Sequence, residues 1–135
     1  MSDSPKQPAR SAALRLPGPL ESPMLSFDLY AESEQLRREN AWEGGRNSKT
    51  LAKHPDFRVV LTVLRSNARL HEHRAAGRIS VQAVEGHIRM HVQDKIFDLR
   101  AGHLLVLERA LFHDVEALED SAFLLTIAWP EAKQP

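Results

Sequence analysis

Histidine is the residue type whose number and spacing point most directly to chemistry in this chain. Seven of the 135 residues are histidines, and six of them fall between His71 and His113. Neutral imidazole is a common metal ligand, and metal sites usually take three or four ligands from different elements. His71 and His73 stand two residues apart on an extended segment, so both can reach one ion from the same side of a strand. His113 begins a later strand and is the expected third member of a metal or ligand pocket.

The other four histidines occur in segments where a role in metal or ligand binding is not expected. His87 and His91 alternate with the apolar residues of segment 87–92, which predicts that they lie on the solvent face of a strand. His54 and His103 lie in segments that have the composition of turns. We expect none of these four to line a pocket.

The bulk composition excludes several classes of protein. Formal net charge is zero and the 18 basic residues are spread along the chain, so neither nucleic acid nor an anionic membrane surface is an expected partner. No apolar run approaches the roughly 18–20 residues that span a bilayer. The chain has no cysteine, which excludes disulfides and Cys-ligated zinc and is typical of a reducing compartment. We therefore predict a soluble cytoplasmic protein.

The first part of the chain is expected to lead into the main domain. Residues 1–23 hold five of the eight prolines, and each proline fixes φ and withholds a backbone donor, so this arm should be extended or disordered. Residues 28–40 are rich in good helix formers, and Ser26 or Asp28 can cap their start. We predict a surface helix here, with Trp42 anchoring the connection that follows it.

After the helix, the apolar pattern has a period of two. Short strands are separated by turn signals such as Gly86, and no proline occurs between Asp56 and Trp129. The predicted strands are 48–53, 57–64, 78–85, 87–92, 95–99, 104–107, 113–117 and 122–128. Such a series argues for an all-β sandwich or barrel with antiparallel connections.

Four segments resemble the small single-domain cupins: Gly77-Arg-Ile-Ser-Val-Gln-Ala-Val-Glu-Gly86, Ile88-Arg-Met-His-Val, Gly102-His-Leu-Leu-Val-Leu and His113-Asp-Val-Glu-Ala. The resemblance implies a cupin double-stranded β-helix, which is a jelly-roll barrel open at one end and commonly dimeric. The resemblance covers about Phe57 to Ile127, so together with the composition it divides the chain into an arm over 1–23, a helix and leading strand over 24–56, and a barrel over 57–130. We accordingly predict a homodimer.

The resemblance also implies a metal site, because cupins hold a divalent ion with three His and one Glu. Two registers are possible for the first cupin motif, His-x-His followed by Glu and then Gly. If His71 and His73 are the His-x-His pair, the Glu position falls at Gly77 or Arg78. If Gly86 sets the count instead, His73 is the first His, Ala75 replaces the second and Ile79 replaces the Glu. Neither register supplies a carboxylate.

The second cupin motif is altered as well. His103 replaces the usual Asp after Gly102, and Glu108-Arg109-Ala110 replaces Pro-x-Gly, whereas His113 fits the final His. Gln82 could lend a neutral oxygen to a pocket. It alternates with Ile79, Val81 and Ala83, and the alternation leaves open which of these two faces is the cavity.

Two functional hypotheses follow. In one, His71, His73 and His113 bind a divalent metal, with Zn, Ni, Mn or Fe as the candidates, in an enzyme of the dioxygenase or isomerase type or in a structural site. In the other, the metal site is degenerate and the barrel is a non-catalytic binding or sensor module for a small organic ligand. The missing Glu and the missing Pro-x-Gly favour the second hypothesis, because a carboxylate offsets the charge of a divalent ion in a low-dielectric cavity.

Overall fold

The computed structural model describes residues 22–129, apart from the side chains of Glu72 and His73. All but the last two residues of the predicted N-terminal arm lie outside this range. One α-helix, α1, spans Leu29–Arg38, and a 3-10 helix over Asn40–Gly44 follows it. The strands are β1 Arg46–His54, β2 Phe57–Leu64, β3 Arg69–His73, β4 Arg78–Glu85, β5 His87–Val92, β6 Lys95–Arg100, β7 Leu104–Leu107, β8 His113–Ala117 and β9 Ser121–Ala128.

The strands form two antiparallel sheets. The first has the order β1-β2-β9-β4-β7 and the second has the order β3-β8-β5-β6. Five strands have the bounds that alternation predicts, and the other predicted strands differ by one or two residues at their ends. Gly86 makes the turn between β4 and β5 with φ of 81°, in the left-handed region that glycine adopts without strain.

The core lies between the sheets and consists of aliphatic side chains together with Phe123. Alternation places one face of each strand inward, so that Val81 of β4 and Met90 of β5 are almost fully buried. The buried residues of this core are Leu64, Ile79, Val81, Ala83, Ile88, Met90, Val92, Leu99, Leu107, Val115, Ala117 and Phe123. Their packing leaves the interior of the barrel largely apolar.

Helix α1 covers part of the outer face of the five-stranded sheet. Asp28 caps the helix by accepting hydrogen bonds from the backbone N–H groups of Tyr30 and Ala31, both at 3.1 Å. Leu36 of the helix packs against a second apolar cluster that includes Leu61 and Val63 of β2. No helix within residues 22–129 is long and apolar enough to cross a membrane.

The predicted anchor at Trp42 is confirmed. The guanidinium carbons of Arg37 and Arg65 lie 5.7 and 5.4 Å from the centroid of its ring, within the range of cation–π contacts. Trp42 also packs against the second apolar cluster. Arg37 forms an ion pair with Glu85 at 2.7 Å, which joins the end of α1 to the end of β4.

Candidate functional site

One end of the barrel holds two of the four candidate site residues, His73 and His113. At this end β2, β4, β6 and β8 begin, and the other strands end, as their pairing registers require. We call it the barrel mouth and define it as residues 53–58, 73–78, 92–95, 107–113 and 128–129.

The mouth contains a shallow concavity that is partly open to solvent, and its empty volume of about 130 Å³ includes some of that open solvent. Its lining is mainly apolar and consists of Ala75, Gly77, Ile79, Leu107, Glu108, Ala110, Leu111 and His113. Two loops form much of this lining, one between β3 and β4 and the other between β7 and β8. They are joined by a hydrogen bond from the N–H of Ala110 to the carbonyl of Ala75, at 2.9 Å, and by the ion pair between Arg78 and Glu108, at 3.1 Å.

His113 is the buried imidazole of the concavity, with 4% of its surface exposed. Its Nδ1 lies 2.9 Å from the carbonyl oxygen of Leu111, which can only accept a hydrogen bond. A neutral His113 therefore carries its proton on Nδ1 and its lone pair on Nε2. An imidazole oriented by a backbone carbonyl in this way is the usual arrangement of a ligating histidine.

The two other predicted metal ligands, His71 and His73, both lie on β3. The register pairs His73 of β3 with His113 of β8 and shifts by one residue between Leu70 and His73. The side chain of His71 is exposed, whereas that of His113 is buried. Among the side chains that the structure describes, no group of three His, Asp or Glu is placed to hold a metal ion. The described donors therefore do not by themselves fit the implied metal, and the role of His73 stays a prediction.

Gln82 does not line the concavity. Ile79, Val81 and Ala83 face the core, and so alternation turns Gln82 to the outer face of the sheet, where its side chain is exposed. It pairs with Leu104, which is also exposed. The tertiary structure thus decides the face that the alternating pattern left open.

The concavity coincides with the residues that one cupin register assigns to the metal site. In the register set by Gly86, Ala75 and Ile79 take the positions of the second His and the Glu, and both line the concavity with His113. Ala75 and Leu111 have side chains that do not suggest a functional role. Only the alignment to the cupin motif that Gly86 sets could identify Ala75 as a lining residue from the sequence.

The altered Pro-x-Gly segment keeps a left-handed backbone conformation. Ala110 occupies the glycine position of the motif and has φ of 68°. Few residues other than glycine adopt this conformation without strain, because Cβ crowds the backbone. The loop therefore takes a turn that normally requires glycine, although the residue has changed.

His87 and His91 lie on the outer face of the four-stranded sheet, as predicted. His87 contacts Asp98 at 3.0 Å, and His91 contacts Asp114 at 2.7 Å. Hydrogen bonds from Arg89 and His87 lower the pKa of Asp98. Burial opposes ionisation of Asp114, but hydrogen bonds from Arg69 and His91 outweigh it and lower the pKa of Asp114. These contacts lie on the outer face of the sheet, opposite the face that packs into the core.

Comparison with known proteins identifies the fold. No family model matches the chain, and no curated protein matches it. Solved structures do, among them a cupin superfamily protein from Desulfitobacterium hafniense, at 15% identity and a TM-score of 0.61, over 62% of this chain and 77% of that one. An RmlC-like cupin from Shewanella frigidimarina matches at 19% identity and a TM-score of 0.60, over 63% of this chain and 77% of that one.

A third structure has the highest identity of the three. It is a cupin 2 conserved barrel domain protein from Leptotrichia buccalis, at 28% identity and a TM-score of 0.61, and the match covers 64% of this chain and 42% of that one. The three agree in architecture with the two facing antiparallel sheets described above. The chain therefore has the fold of the small, RmlC-like cupins.

Proposed function

We propose that this protein is a non-catalytic cupin that binds a small organic molecule in the concavity of the barrel mouth. The observation that carries the proposal is the lining of that concavity by Ala75, Ile79 and His113. In the register set by Gly86, these residues stand where related cupins place metal ligands. Two of the three are aliphatic, so the site offers one imidazole and no carboxylate from these positions.

The chemistry of the lining suits an organic ligand better than a divalent ion. Alanine and isoleucine side chains have no lone pair to donate, and an uncompensated charge in a low-dielectric cavity is costly. Ligand sites of small molecules, in contrast, are mostly apolar with a few polar groups that fix orientation. Ile79 and Leu107 supply the apolar surface, and His113 supplies the polar group.

The test is a screen of small organic fragments by thermal shift, followed by titration calorimetry on the full-length protein without a His-tag. We expect hits whose binding is lost in His113→Ala and in Ala75→Leu, which fills the concavity. His103→Ala is the matched control, because His103 is exposed and lies outside the lining. Hits that bind both variants as they bind the wild type would refute the proposed site.

A second candidate is a divalent-metal cupin, with Zn, Ni, Mn or Fe on His113, His73 and His71. Two observations favour it: the register that pairs His73 with His113, and the carbonyl of Leu111 that orients the His113 ring. A bound ion would act as a Lewis acid or a redox centre. Imidazole-only sets can still bind Zn²⁺ or Ni²⁺, which is why this candidate is kept.

Metal content separates the two candidates. For the metal cupin we expect close to one equivalent of metal in tag-free protein, and a thermal shift with added metal that His113→Ala abolishes and His103→Ala retains. Metal at 100 times Kd would add about 2.7 kcal/mol of stability. Less than one-tenth of an equivalent, with no shift, would eliminate this candidate. The homodimer and the cytoplasmic location stay predictions.

A further inference from the structure

Arg58 lies on the inner face of the five-stranded sheet, at the barrel mouth. It pairs with Ile127 of β9, which pairs on its other side with Ile79 of β4. Residues directly paired across antiparallel strands share a face of the sheet. Because Ile127 and Ile79 both pack into the core, Arg58 continues an inner-face row that leads to the lining of the concavity.

The guanidinium of Arg58 has no anionic partner among the described residues. Its Nε is buried and makes no hydrogen bond, and the guanidinium carbon lies 5.3 Å from the centroid of the Trp129 ring. Arginine stays charged at any physiological pH, so burial cannot be relieved by loss of a proton. Arg58 as a whole is only partly buried, but its buried N–H donor lacks an acceptor, which is costly, and the positive charge beside it attracts an anion.

The charge around the mouth has the same sign. Besides Arg58, the described side chains of the mouth include five basic residues and three acidic ones, although the whole chain has net charge zero. The basic residues are Lys53, Arg74, Arg78, Lys95 and Arg109, and the acidic residues are Asp56, Asp94 and Glu108. An excess of one sign around a concavity raises the local concentration of small ions of the opposite sign.

We propose that the ligand of the barrel mouth is a small organic anion whose acid group binds Arg58 and whose apolar part contacts Ile79 and Leu107. This inference rests on the proposed function, because both use the same concavity. The concavity is shallow and open toward solvent, so a single ring or a short chain that carries a carboxylate would lie across the mouth rather than inside an enclosed cavity.

The test compares pairs of probes that differ in charge but hardly in size: benzoate with benzamide, and butyrate with butyramide. Each is titrated into the tag-free, full-length protein at low ionic strength. We expect the acids to bind at least about tenfold more tightly than the amides, since a charged guanidinium–carboxylate pair is stronger than a neutral hydrogen bond. Arg58→Met should remove this preference, and Arg109→Met, which changes an exposed arginine of the same rim, should keep it.

The remaining outcomes decide against the inference. Equal binding of acids and amides would overturn the anion and leave the proposed function standing, provided that binding still depends on His113. Acid preference that survives Arg58→Met would overturn the role of Arg58, and binding of neither class would overturn the ligand class.

Stability supplies an independent readout. If Arg58 lacks an anion in the free protein, Arg58→Met should unfold at the same urea concentration as the wild type or a higher one, because a buried N–H donor without an acceptor has been removed. Glu131, outside the described residues, follows Trp129 closely and is the alternative partner. If Arg58→Met clearly loses stability, Glu131→Gln loses as much, and the double variant loses no more, then Glu131 is the partner of Arg58. That result would refute the ligand anion.

Discussion

The turn at Gly86 gives the sharpest quantitative test of how this fold is held together. A Cβ added at Gly86 would overlap the carbonyl oxygen of Asp120 and the Oγ of Ser121, and would lie 2.8 Å from the Cα of Ser121. The Ser121 hydroxyl accepts a hydrogen bond from the N–H of His87, at 2.9 Å, and lies 2.7 Å from the carbonyl of Glu119. Gly86→Ala therefore forces apart the β4–β5 turn and the start of β9.

Gly102 provides a matched control. Its φ of 91° is close to the 81° of Gly86, but a Cβ at Gly102 would meet no atom within 4 Å. Alanine in the left-handed region costs about 1–2 kcal/mol. The same change removes about 0.4–1 kcal/mol of unfolded-state entropy, so that we expect Gly102→Ala to lose about 0.5–1 kcal/mol.

Gly86→Ala should lose considerably more. Overpacking against backbone adds about 1–3 kcal/mol. Weakening of the Ser121 hydrogen bonds adds about 1 kcal/mol. The expected loss is about 3–5 kcal/mol, read from the urea midpoint at an unchanged m-value. Equal losses in Gly86→Ala and Gly102→Ala would refute the reasoning, because they would leave only the shared cost of positive φ.

Two further predictions concern Ala110 and Asp114. Ala110→Gly should raise the free energy of unfolding by about 0.5–1 kcal/mol. The reason is that the strain of alanine at φ of 68° costs more free energy than the extra unfolded-state entropy of glycine. A loss of stability would contradict the strained turn. The lowered pKa of Asp114 means that the unfolded state binds more protons in acid, so stability should fall as pH drops below about 5 and through the folded pKa. Asp114→Asn should flatten that fall between pH 6 and 3 in urea titrations, and an unchanged slope would contradict the assignment.

Sequence reasoning was most successful where a strand has one apolar face and one polar face. In β5, Ile88 and Met90 are buried and His87 and His91 lie outside, because a period of two leaves a half-buried strand only one orientation. It was least successful where both faces are partly apolar or where the backbone is irregular. The bulge in β3 between Leu70 and His73 is one such place, because a shift of one residue changes which side chains share a face.

The candidate site was foreseen in part. His113 could be identified from the sequence because the second cupin motif ends in a histidine, and the structure buries it in the concavity. Gln82 and Ile79 were equivalent candidates by alternation, and only packing against the opposite sheet placed Ile79 inside. Arg58 carried no motif, and its position became evident from the pairing of β2 with β9.

By itself, the sequence determined several local features of this protein: a helix that Ser26 or Asp28 could cap, the turn at Gly86, and the bounds of five of the described strands. These depend on backbone preferences and on apolar periodicity within short segments. Only the tertiary structure decided which residues meet at the barrel mouth. Ala75 and His113 are far apart in the chain but line one concavity, and Arg58 lies on the inner face of a strand that begins at the same end. Strand order and register, which follow from how two sheets bury a common core, place them there.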